Sequence, residues 1–292
     1  MASPTLVASR VMTTNPASAP GGSTTVAAVV ASMQEWYPPV WAEDWDRVGL
    51  VVGEPAAPVG RILLAVDCVP ETVEQAVDLG ADMMVVHHPL LLRGVHSVAT
   101  TTYKGAVVHR LIRSGIALLV AHTNADVASP GVGDALATRL GLVELRTPRP
   151  DERHPMRVGR LPQARPLAEL AGYVAERLPA TAVGVRVAGD PSREVRTIAV
   201  VGGAGDTFLA EASAAGVDAF LTADLRHHPA SEHLAGGGPA LLDAPHWATE
   251  RPWLDALAVQ LRTSLSIDTI VSDVVTDVWT VHAPSRAEKE RP

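Results

Sequence analysis

The 292-residue chain has one cysteine, Cys68, so no intramolecular disulfide can form and sulfur does not report the redox compartment. Cys68 follows Asp67 at the end of the apolar run 62–66, a position that predicts a buried, inert thiol. No apolar run approaches the ~18 residues that a membrane-crossing helix needs, which excludes a helical span. Residues 1–23 contain one charged side chain, Arg10, and lack the continuous apolar stretch of a secretory signal. They are read as a disordered extension, and the protein as cytoplasmic. Positive charge is also short: Lys and Arg total 24 against 32 for Asp and Glu, a net charge of −8. That balance supplies no basic face for nucleic acid. Lysine is confined to Lys104 and Lys289, a GC-rich codon bias with no functional weight.

What remains is a globular composition, 47% hydrophobic and 19% charged, in a chain long enough to bury a substantial core. Val26, Val29, Val30 and Met33 recur at helical spacing, and a Pro- and Trp-rich segment follows over 36–54. The runs 61–66, 83–86 and 116–121 read as strands, separated by helical patterns over 71–79 and 103–114. Residues 130–160 form a Pro- and charge-rich break around a short helix. A second alternating series then runs through helix 167–178, strands 183–187 and 197–201, helix 207–215 and strand 217–221. A helix over 253–263 and a last strand over 274–281 complete the pattern. The fold class is α/β, in two units with mainly parallel sheet and packed helices. One unit takes 24–128 and 246–282; the second, 129–245, is inserted before the last histidine segment. Residues 283–292 are read as a flexible tail.

Three histidine-bearing segments each follow an apolar run that reads as a strand. They are His87-His88-Pro89, His122-Thr123-Asn124-Ala125-Asp126 and His246-Trp247-Ala248-Thr249-Glu250. Ligands in open α/β sheets collect outside the carboxyl ends of strands, where all three segments fall. Adjacent His87 and His88 serve one site only if the chain bends there, and Pro89 favours the bend. His122 and Asp126, like His246 and Glu250, stand four apart, the spacing that puts two side chains on one side of a helical turn. Imidazole and carboxylate donors without sulfur, held at strand ends, are what a site for two divalent cations requires.

Other features point less clearly. Gly202-Gly203-Ala204-Gly205 lacks the last glycine of a dinucleotide fingerprint, where Phe208 stands, and no Lys-Ser/Thr follows; it reads as a tight turn, with a glycine-lined substrate loop as the alternative. Asp224, His227 and His228 follow a strand end and are candidates for supporting or proton-transfer groups. His96, His109, His154, His233 and His282 have no partner pattern.

With these residues in view, the chain resembles the NGG-one-interacting factor three family, dinuclear-metal proteins described as type 2 GTP cyclohydrolase I. The resemblance spans about residues 24–281. It rests on Ala42-Glu43-Asp44-Trp45-Asp46 with Gly49-Leu50, the three histidine motifs, and Leu221-Thr222-Ala223-Asp224. It implies His87, His88, Asp126, His246 and Glu250 as metal ligands, with His122 beside the metals. It also implies a homo-oligomer, a toroidal hexamer with its sites facing an internal cavity. Two positions depart from the family pattern: Arg47 replaces an asparagine and Ala223 a glycine, which bears on substrate contacts rather than on metal binding.

The expected chemistry is hydrolysis by a water activated between two divalent cations, zinc, manganese, iron, cobalt or nickel. Glu250 or Asp126 would bridge them, and His122 or His228 would carry the proton. The type 2 cyclohydrolase reading takes C8 of a guanine nucleotide as the point of attack. A two-metal phosphoester hydrolase uses the same parts, and a non-catalytic, ring-shaped metal-binding scaffold is the alternative of another class. A small-molecule substrate is expected, with no membrane and no nucleic-acid partner.

Overall fold

The computed structural model describes residues 24–149 and 152–283. The extension expected over 1–23 and the tail expected over 283–292, Ala283 excepted, lie outside the described residues. In chain order the first half runs α1 (Val26–Trp36), β1 (Gly49–Val52), β2 (Arg61–Ala65), α2 (Pro70–Asp78), β3 (Met83–Val86), α3 (Tyr103–Ser114), β4 (Ala117–Val120) and the single turn α4 (Thr123–Asp126). Next come α5 (Val132–Arg139), β5 (Val143–Arg146), β6 (Arg157–Pro166), α6 (Leu167–Arg177), β7 (Arg186–Ala188), β8 (Glu194–Ala204), α7 (Leu209–Ala214), β9 (Ala219–Ala223), α8 (His227–Ala235) and β10 (Ala240–Asp243). Helix α9 (His246–Leu265) and β11 (Asp268–Val271) follow.

The strands form two mixed sheets, ordered β1-β4-β3-β2-β11 and β5-β6-β8-β9-β10-β7. Parallel pairing joins β4, β3, β2 and β11 in the first and β8, β9 and β10 in the second. Antiparallel strands complete the edges: β1 on β4, β6 and β5 beside β8, and β7 on β10.

Strands β2, β3 and β4 read as unbroken apolar runs because both of their faces are covered. Ile62, Leu64, Met83, Val85 and Leu119 face a large core shared with Ile198, Val200, Leu221 and Leu242 of the second sheet. Leu63, Met84, Val86, Leu118 and Val120 face the other way, onto Val73 and Ala76 of α2 and Val107 and Leu111 of α3. That alternation is the two-residue strand period seen from both sides. Cys68 is buried in this second cluster, and burial followed by the nearby Asp67 charge pushes its thiol up to about 12, as its inert reading requires.

Helix α9 lies between the sheets, touching β8 and β9 of one and β2 and β11 of the other. Consecutive residues Trp247 to Glu250 are therefore all buried, which no surface helix shows. The sequence reading opens a helical turn at the His246/Glu250 pair and a separate long helix near Trp253; the two are one helix from His246, with Pro252 inside it. An internal proline costs roughly 3 kcal/mol. Burial of Trp247, Trp253, Leu254 and Leu257, at about 1.5–3 kcal/mol for each large apolar side chain, outweighs that.

The strand pattern changes in several places. Residues 274–281 form no strand, and Val278 and Val281 are 79% and 80% exposed; the last strand is β11. Strands β1, β5 and β6 lie where the sequence reading has a Pro- and Trp-rich segment and a Pro- and charge-rich break; β5 is a four-residue Val-Glu-Leu-Arg segment exposed throughout.

Trp253 ties α9 to the rest of the core. Its Nε1–H donates to the Tyr37 hydroxyl at 3.2 Å, and its ring lies 5.4 Å from the His87 ring. Trp253→Ala is expected to cost about 3–5 kcal/mol in urea unfolding, whereas Trp253→Phe costs less because it keeps the ring volume.

Candidate metal centre

Carboxyl ends of parallel strands from both sheets converge on one pocket. Asp67 follows β2, His87 and His88 follow β3, and His122 follows β4; Gly203 lies near the end of β8, Asp224 follows β9, and His246 opens α9 just after β10. The strand registers dictate who meets whom. Ala65 pairs with Val86, so two residues further on Asp67 stands beside His88; Val86 pairs with Val120, so Ala121 stands beside His87. Thr222 pairs with Asp243, which carries Asp224 alongside Pro245 and His246.

The chain bends at the histidine pair as Pro89 implies. Both backbone amides turn onto the end of β2, His88 N–H donating to the Val66 carbonyl at 2.8 Å, and the two rings lie 5.1 Å apart. His122 precedes α4, whose single turn brings Asp126 to the same side. His246 and Glu250 occupy successive turns of α9.

Each histidine is fixed from outside through Nδ1. His87 Nδ1–H donates to the Ala121 carbonyl at 3.0 Å, and an acceptor-only partner settles the tautomer, leaving the Nε2 lone pair free. His88 meets Asp67 at 2.7 Å, His122 meets Asp46 at 2.9 Å, and His246 meets Asp224 at 2.7 Å, each through Nδ1. Imidazoles that ligate metals carry such carbonyl and carboxylate partners, which orient the ring and raise its basicity.

The Nε2 atoms of His87, His88 and His246 face inward onto Glu250, which is 3% exposed. Glu250 Oε1 lies 2.9 Å from His246 Nε2 and 3.5 Å from His87 Nε2, while Oε2 lies 3.0 Å from His88 Nε2. Asp126 Oδ1 is 3.6 Å from His87 Nε2. Atoms each about 2.0–2.2 Å from one cation sit about 3–3.5 Å from one another, the spacing seen here. Among the described residues, His87 Nε2, Asp126 Oδ1 and Glu250 Oε2 are buried with no aligned hydrogen-bond partner. Buried polar atoms are nearly always satisfied, so three orphaned donor atoms within one cluster fit cations as their missing partners. His87, His88 and His122 form one group with metal-binding potential, and His88, His246 and Glu250 form another.

Gly203 is part of this site rather than a plain turn. Its φ is +70°, and a Cβ there would fall 2.3 Å from Glu250 Oε1 and 3.0 Å from His246 Nε2. The backbone of β8 approaches the carboxylate this closely only because no side chain intervenes.

Charges in the cluster compensate one another. Burial would push the Glu250 carboxyl up, but the imidazoles of His88, His246 and His87 hold it well below the usual carboxylate range. Burial would lower His246; the Glu250 charge and the Asp224 hydrogen bond override it and raise the imidazole to about 10. His88 moves well upward against burial in the same way, through Glu250 and Asp67. Asp126 is pushed up to about 7 by burial and then by the Glu250 charge. Asp46 goes the other way: hydrogen bonds from His122 and Thr123 overcome burial and keep it ionised.

The structure thus brings together His87, His88, His122, Asp126, His246 and Glu250. His228 is not among them: it is exposed on the first turn of α8, and its ring lies 5.2 Å from that of His227. Asp224 takes a supporting role, on His246. Asp67 escaped the sequence reading because its strand end carries no histidine of its own, while Gly203 is marked there only as part of a glycine loop.

Two outcomes follow from this geometry. A cation binding His88 and His246 Nε2 displaces the protons those atoms hold, so Zn2+ affinity rises with pH through the neutral range, toward about 10 for His246. Calorimetric titration at pH 7 in buffers of different ionisation enthalpy should register at least about one proton released per chain; a buffer-independent heat would contradict it. Gly203→Ala should lower bound metal, measured by plasma emission, with the circular-dichroism spectrum retained.

Comparison with known proteins agrees with this architecture. The family model for Duf34/NIF3 (NGG1p interacting factor 3) matches residues 24–278. A GTP cyclohydrolase 1 type 2 homolog from Streptomyces coelicolor is 54% identical over 268 residues, covering 88% of this chain and 94% of its own length. The homolog from Mycobacterium tuberculosis is 34% identical over 369 aligned positions, covering 88% of this chain and 97% of itself; it carries residues that this chain lacks. A Bacillus cereus protein related to NIF3 shares the fold, with a TM-score of 0.82 at 21% identity, over 90% of this chain and 100% of that one. The chain belongs to the Duf34/NIF3 family.

Proposed function

We propose that the protein is a metal-dependent hydrolase with two divalent cations per chain, of the type 2 GTP cyclohydrolase I kind, acting on a nucleotide or a related heterocycle. Glu250 carries the reading: one buried carboxylate lies within 2.9–3.5 Å of three imidazole Nε2 atoms, and these groups together would hold the cations. His87, His88, Asp126 and His246 complete the donor set. Nitrogen and carboxylate donors suit zinc, manganese, iron, cobalt or nickel. Cations held there supply Lewis acidity and bring a bound water toward neutral pKa.

The chain's own groups then supply positioning and proton transfer. Asp46 holds His122 through Nδ1, so its Nε2 is free to take up or return a proton inside the pocket. The names of the Streptomyces and Mycobacterium relatives support a guanine nucleotide as the first substrate, with attack at C8 opening the imidazole ring. The reading extends to a homohexamer, which light scattering would register as the mass of six chains.

Turnover assays on metal-loaded protein, with GTP, other nucleotides and phosphoesters, test it. His122→Asn should reduce turnover about 100–10,000-fold with metal content retained, the range for loss of a general acid–base group. Glu250→Gln should empty the site. Full metal loading without hydrolysis of any of these substrates would leave a metal-binding scaffold and end the hydrolase reading.

A further inference from the structure

Trp45 is 55% exposed, an unusual position for an indole on a fixed loop next to a buried polar cluster. The loop is tightly held. Asp46 N–H donates to the Glu43 carbonyl at 2.9 Å, and Glu43 N–H donates to Thr123 Oγ1 at 3.0 Å. The Asp46 carboxylate accepts from Thr123 N–H at 3.0 Å and Thr123 Oγ1–H at 2.5 Å, as well as binding His122. Arg47 turns back onto its own loop, its guanidinium donating to the carbonyls of Asp44 and Asp46. The backbone that carries the indole is therefore held in place.

It also sits beside the pocket. The Trp45 and His122 rings are 5.9 Å apart and meet at 79°, an edge contact that covers at most one indole face. The His122 ring is in turn 5.0 Å from His87 and 5.5 Å from His88. The exposed indole therefore stands one ring away from His122, and two from His87 and His88, at the border of the cluster. Indole faces bind planar π-systems by stacking, and a fixed platform loses little entropy when it does so.

We propose that Trp45 is the stacking platform for a planar heteroaromatic ring of the substrate, and so the residue that selects ring-bearing ligands at this site. The inference rests on the hydrolase reading for its setting, but it is tested by binding rather than by turnover.

The test is calorimetric titration of the metal-loaded full chain with GTP and with inorganic triphosphate, which has the same anionic tail and no ring. Trp45→Ala should weaken GTP about 5–100-fold, the range for loss of one base-stacking aromatic, and leave triphosphate unchanged. Trp45→Phe should retain most of the GTP affinity. Equal GTP binding by wild type and Trp45→Ala overturns the proposal. So does parallel loss of GTP and triphosphate, which would mean damage to the cluster, and so does a wild type that binds the two probes equally. Trp45-dependent GTP binding without hydrolysis would sink the hydrolase reading alone; hydrolysis with Trp45-independent binding would sink this inference alone.

Discussion

The buried Glu250 carboxylate is the constraint around which the rest of the molecule is arranged. Taking an unpaired carboxylate out of water costs several kcal/mol even after relaxation, so positive charge must accompany it. Three imidazole Nε2 atoms surround it. Protons on His88 and His246 are one source of that charge, and divalent cations on the same nitrogens are another. The pocket is built so that one can replace the other. Asp126 sharpens the exchange, because a second carboxyl beside Glu250 cannot also ionise near neutrality without further positive charge.

The fold supplies this arrangement through strand register rather than through loops. Each parallel neighbour contributes the group that fixes the next strand's histidine: β2 gives Asp67 to His88, β4 gives the Ala121 carbonyl to His87, and β9 gives Asp224 to His246. Shifting any pairing by one residue would turn the anchor to the opposite face. Helix α9 then brings His246 and Glu250 between the two sheets, and Gly203 lets the end of β8 close against them. A surface loop could present the same donors, but not with four Nδ1 atoms already committed outside the pocket.

Much of this was legible in the chain. Apolar runs ending in histidine marked β3 and β4, Pro89 marked the bend, and the four-residue spacings marked α4 and the start of α9. What escaped had physical reasons. Strand β5 alternates Val-Glu-Leu-Arg but is four residues long and set in a Pro- and charge-rich break, so its pattern does not stand out. Pro252 sits inside α9, where burial of the surrounding apolar side chains outweighs its cost. Residues 274–281 are rich in Val, Thr and Trp, yet strand pairing depends on a neighbour that no local pattern encodes. Asp67 is the instructive omission: the carboxyl-end rule that singled out His87 applies equally to the adjacent strand, and two residues of register would have led to it. His228 satisfied the same rule and still lies on the exposed start of α8, because the rule fixes the end of a sheet and not the direction of a side chain.

Asp46 joins the two halves of the functional argument. One of its oxygens orients His122, and the other holds Thr123, whose hydroxyl and amide fasten the 43–46 turn. The inner histidine and the outer indole therefore share an anchor, so the surface that meets a ligand cannot drift relative to the pocket that would act on it. Arg47, where the family pattern has asparagine, strengthens the same turn by capping its carbonyls. Arg47 thus acts here on the rigidity of Trp45's support. An exposed tryptophan gives up the ~1.5–3 kcal/mol that burying a large apolar side chain would contribute. A turn held this firmly around a solvent-facing indole is intelligible if the indole's partner arrives with the ligand.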